Sequence, residues 1–130
     1  MKAAIYGGPL DITVGERADP VLTSPTDAIV RVTLACVCGS DLWYYRGLSP
    51  HDLGAIGHEF IGIVDEVGAD VRDLRPGDLV VTPFLADILA GEINPGRVFD
   101  FETDLDHVVE GYQAMDERRA IKSLVRVAAE

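Results

Sequence analysis

Short runs of alternating apolar and polar residues fill the first two-thirds of the chain. In the clearest run, residues 27–36 (DAIVRVTLAC), Val30, Val32 and Leu34 fall on one face. In another, Gly62 interrupts a series of β-branched residues and predicts a bulge or a close backbone approach. Five or six short strands joined by glycine-rich turns are typical of a barrel or a sandwich. The runs that predict strands are KAAIY, DITVGER, DAIVRVTLAC, FIGIVDEVG and RPGDLVVT.

The spacing of apolar residues changes near Phe84. Residues 85–93 (LADILAGEI) have helical spacing, and the segment NPGRVFDF that follows breaks the helix and supplies a short strand. Residues 122–127 predict a strand that closes the fold. The chain is therefore expected to be mostly β with a few helices, including one near its C-terminal end.

That C-terminal helix has the clearest helical pattern in the chain. Apolar residues from Leu105 to Met115 fall on one stripe, and either Thr103 or Asp104 is a suitable N-cap. Acidic residues crowd the first turn, where the helix dipole favours them.

The composition is that of one globular domain. The chain has 130 residues, 48% hydrophobic and 25% charged, with a formal charge of −11 that disfavours a nucleic-acid partner. No apolar run approaches the roughly 20 residues needed to cross a membrane, and the N-terminus does not resemble a secretory signal. Two cysteines make no disulfide framework, which predicts a cytoplasmic location.

Both cysteines lie in the stretch CVCGSDLW. A C-x-C pair differs from the C-x-x-C of redox centres, and a disulfide this tight would be strained. Cys36 ends an apolar strand, and its ordinary interpretation is a buried core thiol. Cys38 follows the strand beside Gly39, where the chain can turn and a thiolate can face a cleft.

Twenty residues further on, the stretch GHEF supplies His58 and Glu59. One Cys, one His and one carboxylate fit a catalytic zinc site, which uses three protein ligands and keeps one position open. Neighbouring residues of a strand point to opposite faces, so both side chains reach one ion only if the chain twists there. The alternative is a structural histidine at the start of a strand.

The order and spacing of the motifs C-G-S-D, G-H-E and P-G-D-x-V are specific. CVCGSDLWYYRG followed by GAIGHEFIGIVDEVGADVRDLRPGDLVV resembles the catalytic domain of the zinc-dependent alcohol dehydrogenases, in the medium-chain dehydrogenase/reductase superfamily. The resemblance covers residues 1–84, and residues 89–127 resemble the far C-terminus of the family. It implies a GroES-like, partly open β-barrel with a C-terminal helix and a closing strand.

The resemblance also implies roles for individual residues. Cys38 and His58 are expected to bind zinc, and Glu59 to bind it in some states only. Ser40 is expected to relay the proton of the alcohol, and Asp41 to accept a hydrogen bond from the far nitrogen of His58. The implied substrate is a small alcohol or aldehyde.

Family members are usually much longer, and three of their features have no counterpart in this sequence. These are a four-cysteine lobe, a third zinc ligand of Cys or Asp type, and a Rossmann domain for NAD or NADP with its G-x-G-x-x-G motif. We therefore expect one domain, residues 1–130, made of the blocks 1–84 and 85–130 and joined where a nucleotide-binding domain has been deleted.

Three functions follow as hypotheses. The first is an alcohol oxidoreductase domain that does not turn over alone. The second is a metal- or ligand-binding GroES-like module, in which zinc is weakly held or absent. The third is a domain that self-associates through surface uncovered by the missing domain. Trp43 either lines the substrate pocket or is a half-buried aromatic residue in a loop.

Overall fold

The computed structural model describes residues 1–82 and 98–128. The helix predicted at 85–93 and the proposed join at 84–85 lie outside these residues. No helix within the described ranges is long and apolar enough to cross a membrane. The strands are β1 (Lys2–Gly8), β2 (Asp11–Glu16), β3 (Ala28–Cys36), β4 (Gly54–Ala55), β5 (Glu59–Val67), β6 (Leu79–Val81), β7 (Phe99–Asp104) and β8 (Lys122–Arg126). The helices are α1 (Asp41–Tyr45) and α2 (Val108–Asp116), the latter preceded by a 3-10 turn (Leu105–His107).

The strands form two open sheets. One has the order β2-β1-β4, and the other has the order β6-β5-β3-β8-β7. In the larger sheet β3 pairs antiparallel with both β5 and β8, while β7 runs parallel to β8. The prediction of a mostly β, partly open fold with a C-terminal helix and a closing strand is therefore confirmed. The closing strand β8 lies directly beside β3, so strands from the N-terminal and C-terminal blocks share one sheet.

The core lies between the two sheets and α2. Val64 of β5 and Val125 of β8 are buried in the larger sheet, and Tyr6 of β1 is buried in the smaller one. Tyr6 and Val125 belong to one apolar cluster, which also includes Val37, just after β3. From α2 and the residues after it, the core receives Val108, Tyr112, Ala114, Met115 and Ala120.

Asp104 caps the turn that leads into α2. Its carboxylate accepts a hydrogen bond from the backbone N–H of His107 at 3.0 Å, which fixes the N-cap at the second of the two predicted residues. The helix then packs against β8, where the Ser123 hydroxyl donates to the Gly111 carbonyl at 3.0 Å. The predicted apolar stripe is therefore the buried face of α2.

Gly62 marks a close approach of two backbones, as the sequence predicts. A Cβ at this position would lie 2.7 Å from the carbonyl oxygen of Arg31 on β3. The β3–β5 register also shifts between Val32 and Leu34, opposite Gly62. The extra residue at this shift lies on β3, and the missing side chain of Gly62 on β5 makes room for it.

Candidate metal centre

Cys38 lies in the turn between β3 and α1. The strand ends at Cys36, and the N–H of Val37 still donates to the Ser123 carbonyl at 3.1 Å. The chain then turns, and the backbone N–H of Cys38 donates to Oδ2 of Asp41 at 3.1 Å. This bond fixes the turn, so the half-buried Cys38 side chain leaves the sheet at its end.

His58 and Glu59 lie where the chain enters β5. Gly57 has a φ of +97°, a conformation that glycine adopts without strain and other residues rarely do. His58 precedes the strand, and the buried Glu59 is its first residue. The bend at Gly57 therefore lets two neighbouring side chains turn toward one point, which a regular strand forbids.

Cys38, His58 and Glu59 bring one donor atom each to a common place. The three atoms lie within 4.8 Å of one another, in the one such cluster found in residues 1–82 and 98–128. A thiolate, an imidazole and a carboxylate are the donors of catalytic zinc sites. The sequence predicted these three residues, and the structure brings all three together; their role as zinc ligands stays a prediction.

The Ser40 hydroxyl touches two of the three candidate ligands. It donates to Sγ of Cys38 at 3.2 Å and lies 3.4 Å from Nε2 of His58. Ser40 is exposed to solvent. Its hydroxyl therefore lies beside two candidate ligands and within reach of water, and its role as a proton relay stays a prediction.

Asp41 supports His58 from the opposite side of the ring. Its Oδ1 lies 3.2 Å from Nδ1 of His58, and the residue is only 1% exposed. Among the described residues no donor makes a hydrogen bond of good geometry to this oxygen. Burial raises the pKa of Asp41, because the charged form loses water. An imidazole bound to a metal through Nε2 presents an N–H to such a carboxylate, so the residues fit the predicted metal.

The buried thiol of Cys36 belongs to the surroundings of the site. Its Sγ donates to Oε2 of Glu59 at 3.0 Å. Burial, together with the hydrogen bond to Glu59, raises the pKa of Cys36 to about 12. The Cys36 sulfur therefore stays protonated near neutral pH, and a protonated thiol does not act as a metal ligand.

We expect the two cysteines to differ sharply in their reaction with iodoacetamide at pH 8. Cys38 should be alkylated in the folded, metal-free protein, whereas Cys36 should react only after denaturation, because burial keeps it protonated. Mass spectrometry of tryptic peptides distinguishes the two sites in the variants Cys36→Ala and Cys38→Ala. Fast modification of Cys36 in the folded protein would contradict this assignment.

Lys122 and Tyr112 border the site, although no sequence motif pointed to either residue. Lys122 begins β8, and its Nζ lies 2.6 Å from Oε2 of Glu59. Burial opposes ionisation of Glu59, but the hydrogen bonds from Cys36 and Lys122 outweigh it and lower the pKa of Glu59. Burial and the charge of Asp41 raise the pKa of Tyr112 in α2. The one signal for Lys122 in the sequence is its place as a cation at the start of a predicted strand.

Trp43 lies in α1, and its side chain is 62% exposed. The interpretation of Trp43 as a half-buried aromatic residue in a loop is therefore wrong. It lies three residues after Ser40 on the same short turn of chain, so a role in contacting substrate stays a prediction.

Comparison with known families gives one clear match. The sequence model of the family described as "Alcohol dehydrogenase GroES-like domain" matches residues 24–117, which is most of the chain. The matched range includes Cys38, His58 and Glu59.

Individual relatives agree with the family match. An uncharacterised zinc-type alcohol dehydrogenase-like protein, AdhB of Bacillus subtilis, is 42% identical over 94 residues, 71% of this chain and 24% of its own. The alcohol dehydrogenase TADH from Thermus sp. ATN1 is 47% identical with a TM-score of 0.61, covering 65% of this chain and 25% of its own. RspB from Escherichia coli CFT073, solved with NADH, is 36% identical with a TM-score of 0.54 (62% and 23% covered).

This chain thus spans about a quarter of the length of the relatives it matches. The family match covers the GroES-like domain, and the candidate ligands lie within it. On the extent of the family match and on these relatives, the chain belongs to the alcohol dehydrogenase GroES-like domain family.

Proposed function

We propose that this chain is the catalytic domain of a zinc-dependent alcohol dehydrogenase that acts on a small alcohol or aldehyde. The observation that carries the proposal is the convergence of Cys38, His58 and Glu59 on one position within 4.8 Å. Relatives described as zinc-type alcohol dehydrogenases support it, and they favour it over a binding module unrelated to catalysis.

The chemistry proposed for the site follows from its donors and the hydroxyl beside them. Zinc, when bound, supplies a Lewis acid that lowers the pKa of an alcohol hydroxyl. Cys38 and His58 are the principal ligands in this proposal, and Asp41 holds the His58 ring with Nε2 toward the metal. Ser40, exposed and beside both ligands, accepts the alcohol proton and passes it to solvent.

The hydride acceptor is proposed to be NAD or NADP, held by a part of the family protein that this sequence does not contain. The sequence has no G-x-G-x-x-G motif, and the relatives are several times longer. We propose that the blocks 1–84 and 85–130 form one domain, joined where a nucleotide-binding domain has been deleted. We also propose that the domain retains zinc through Cys38 and His58, although it lacks the third Cys or Asp ligand expected from the family.

Alcohol binding tests the proposed function directly. The chain is loaded with Co²⁺, a spectroscopic substitute for zinc, and titrated with small primary and secondary alcohols. We expect the visible cobalt bands to shift with saturation, because the alcohol oxygen occupies the open coordination position. The matched control, Cys38→Ser, should show no shift. A cobalt spectrum that no alcohol or aldehyde alters would contradict the proposed function.

Turnover by the isolated chain should be undetectable. With zinc, NAD or NADP and small alcohols, we expect no formation of reduced nicotinamide above the rate with Cys38→Ala, because the hydride has no positioned acceptor. Absorbance at the reduced-nicotinamide band measures it. A rate that is lost in Cys38→Ala would show instead that the chain binds the dinucleotide productively.

Two further expectations stay predictions. A cytoplasmic location rests on the two cysteines, both of which are free thiols in the structure. Self-association is proposed to use surface uncovered by the missing domain, and exposed apolar side chains such as Leu48 and Leu53 are of the kind that promotes it. Light scattering over a range of concentrations tests the second, and a strict monomer would count against it.

A further inference from the structure

Lys122 makes the closest contact with the candidate ligand Glu59. Its Nζ lies 2.6 Å from Oε2, and both side chains are largely buried, at 20% and 7% exposure. The same oxygen accepts the hydrogen bond from Cys36 at 3.0 Å. Oε2 is therefore held by two donors, one of them a full positive charge.

The backbone fixes Lys122 in this position. In the sheet Cys36 pairs with Glu59 on one side and with Leu124 on the other, so these side chains share a face. Lys122 lies two residues before Leu124 and faces the same way. The carboxylate of Asp100 accepts hydrogen bonds from the N–H groups of Ile121 and Lys122, which anchors the start of β8.

The contact has two consequences for a cation at the site. An oxygen that accepts two hydrogen bonds is a weaker ligand than a free carboxylate oxygen, because its lone pairs are engaged. In addition, a buried ammonium group repels a nearby dication strongly, since little water screens the two charges. Both effects weaken the part of Glu59 in metal binding and leave Cys38 and His58 as the main donors.

We propose that Lys122 is a positioning residue that holds Glu59 by Oε2 and restrains it from full coordination of the metal. The inference rests on the proposed function, because it concerns the same site. It assigns Lys122, which lies 63 residues after Glu59 in the sequence, a direct hold on one of the three candidate ligands.

The test is Co²⁺ affinity, measured by competition with a chromophoric chelator. Lys122→Met should bind Co²⁺ about tenfold or more tightly, on the scale of other changes to residues that contact metal ligands. Its visible bands should also weaken, because adding Glu59 raises the coordination number. Lys122→Arg, which keeps the charge and the donor, should resemble wild type. If circular dichroism shows that Lys122→Met does not fold, Lys122→Gln is measured in its place.

Repeating the measurement in the Glu59→Gln variant shows whether Lys122 acts on Co²⁺ affinity through Glu59 or only by repelling the cation. In Glu59→Gln, the change Lys122→Met should alter the Co²⁺ affinity much less than in wild type. Equal gains in both backgrounds, or unchanged or weaker binding in Lys122→Met and Lys122→Gln, would overturn the positioning role. If wild type shows no cobalt–thiolate band at all, the proposed function itself fails.

Discussion

Replacing Cys38 with serine should remove the cobalt–thiolate absorption band and weaken metal binding by at least about 100-fold. Changes in residues that merely support metal ligands already cost about 10–100-fold, and this change removes the soft ligand itself. The remaining donors, His58 and Glu59, cannot replace a thiolate, and Glu59 is already engaged by Cys36 and Lys122. Titration with Co²⁺ and with Zn²⁺ against a chelator measures both effects.

Cys36→Ser is the matched control for this prediction. Both changes replace a sulfur atom with oxygen, at positions two residues apart. They should differ in effect because the Cys36 thiol is protonated and donates a hydrogen bond to Glu59. The band should therefore persist in Cys36→Ser. Loss of the band in Cys36→Ser with retention in Cys38→Ser would reverse the assignment of the two sulfurs.

Gly62→Ala should lower the free energy of unfolding by about 2 kcal/mol, within the range for overpacked interiors. The new methyl group would lie 2.6 Å from Cγ1 of Val30 and 2.7 Å from the Arg31 carbonyl oxygen. Rotation of the Val30 side chain can relieve the first contact, but the second is with backbone. The two strands must therefore move apart, at the pair that joins β5 to the rest of the larger sheet.

Urea denaturation followed by circular dichroism measures this loss. The control is Gly39→Ala, because a Cβ at Gly39 meets nothing within 4 Å and the residue does not have a positive φ. The control should unfold within a few tenths of a kcal/mol of wild type, since alanine adopts this backbone freely. Equal stability of the two variants would mean that β3 and β5 do not approach as closely as described.

The period of the apolar residues predicted most of the fold, since each strand and helix buries one face. Alternation around Val32 predicted β3, and helical spacing up to Met115 predicted α2. Of the two N-cap candidates, Asp104 caps the 3-10 turn that precedes α2. The two-residue strand β4, Gly54–Ala55, has no period of its own and could not be found. Its pairing with β1 depends on contacts that arise only in the folded chain.

The site was predictable in part for a similar reason. Cys38, His58 and Glu59 carry chemistry that short motifs display, and the structure adds the bend at Gly57 that lets two of them converge. Lys122 was not found, because it lies 63 residues from Glu59 and only the pairing of β8 with β3 brings it near. Tyr112 is one of several apolar positions on a helix, and only the packing of α2 brings it near Asp41.

The most direct test of the account is a crystal structure of the zinc-soaked protein with an anomalous difference map at the zinc edge. We predict one strong peak about 2.3 Å from Sγ of Cys38 and about 2.0 Å from Nε2 of His58, the usual zinc bond lengths. A strong zinc peak elsewhere, or none while Cys38 and His58 keep the positions described, would contradict it.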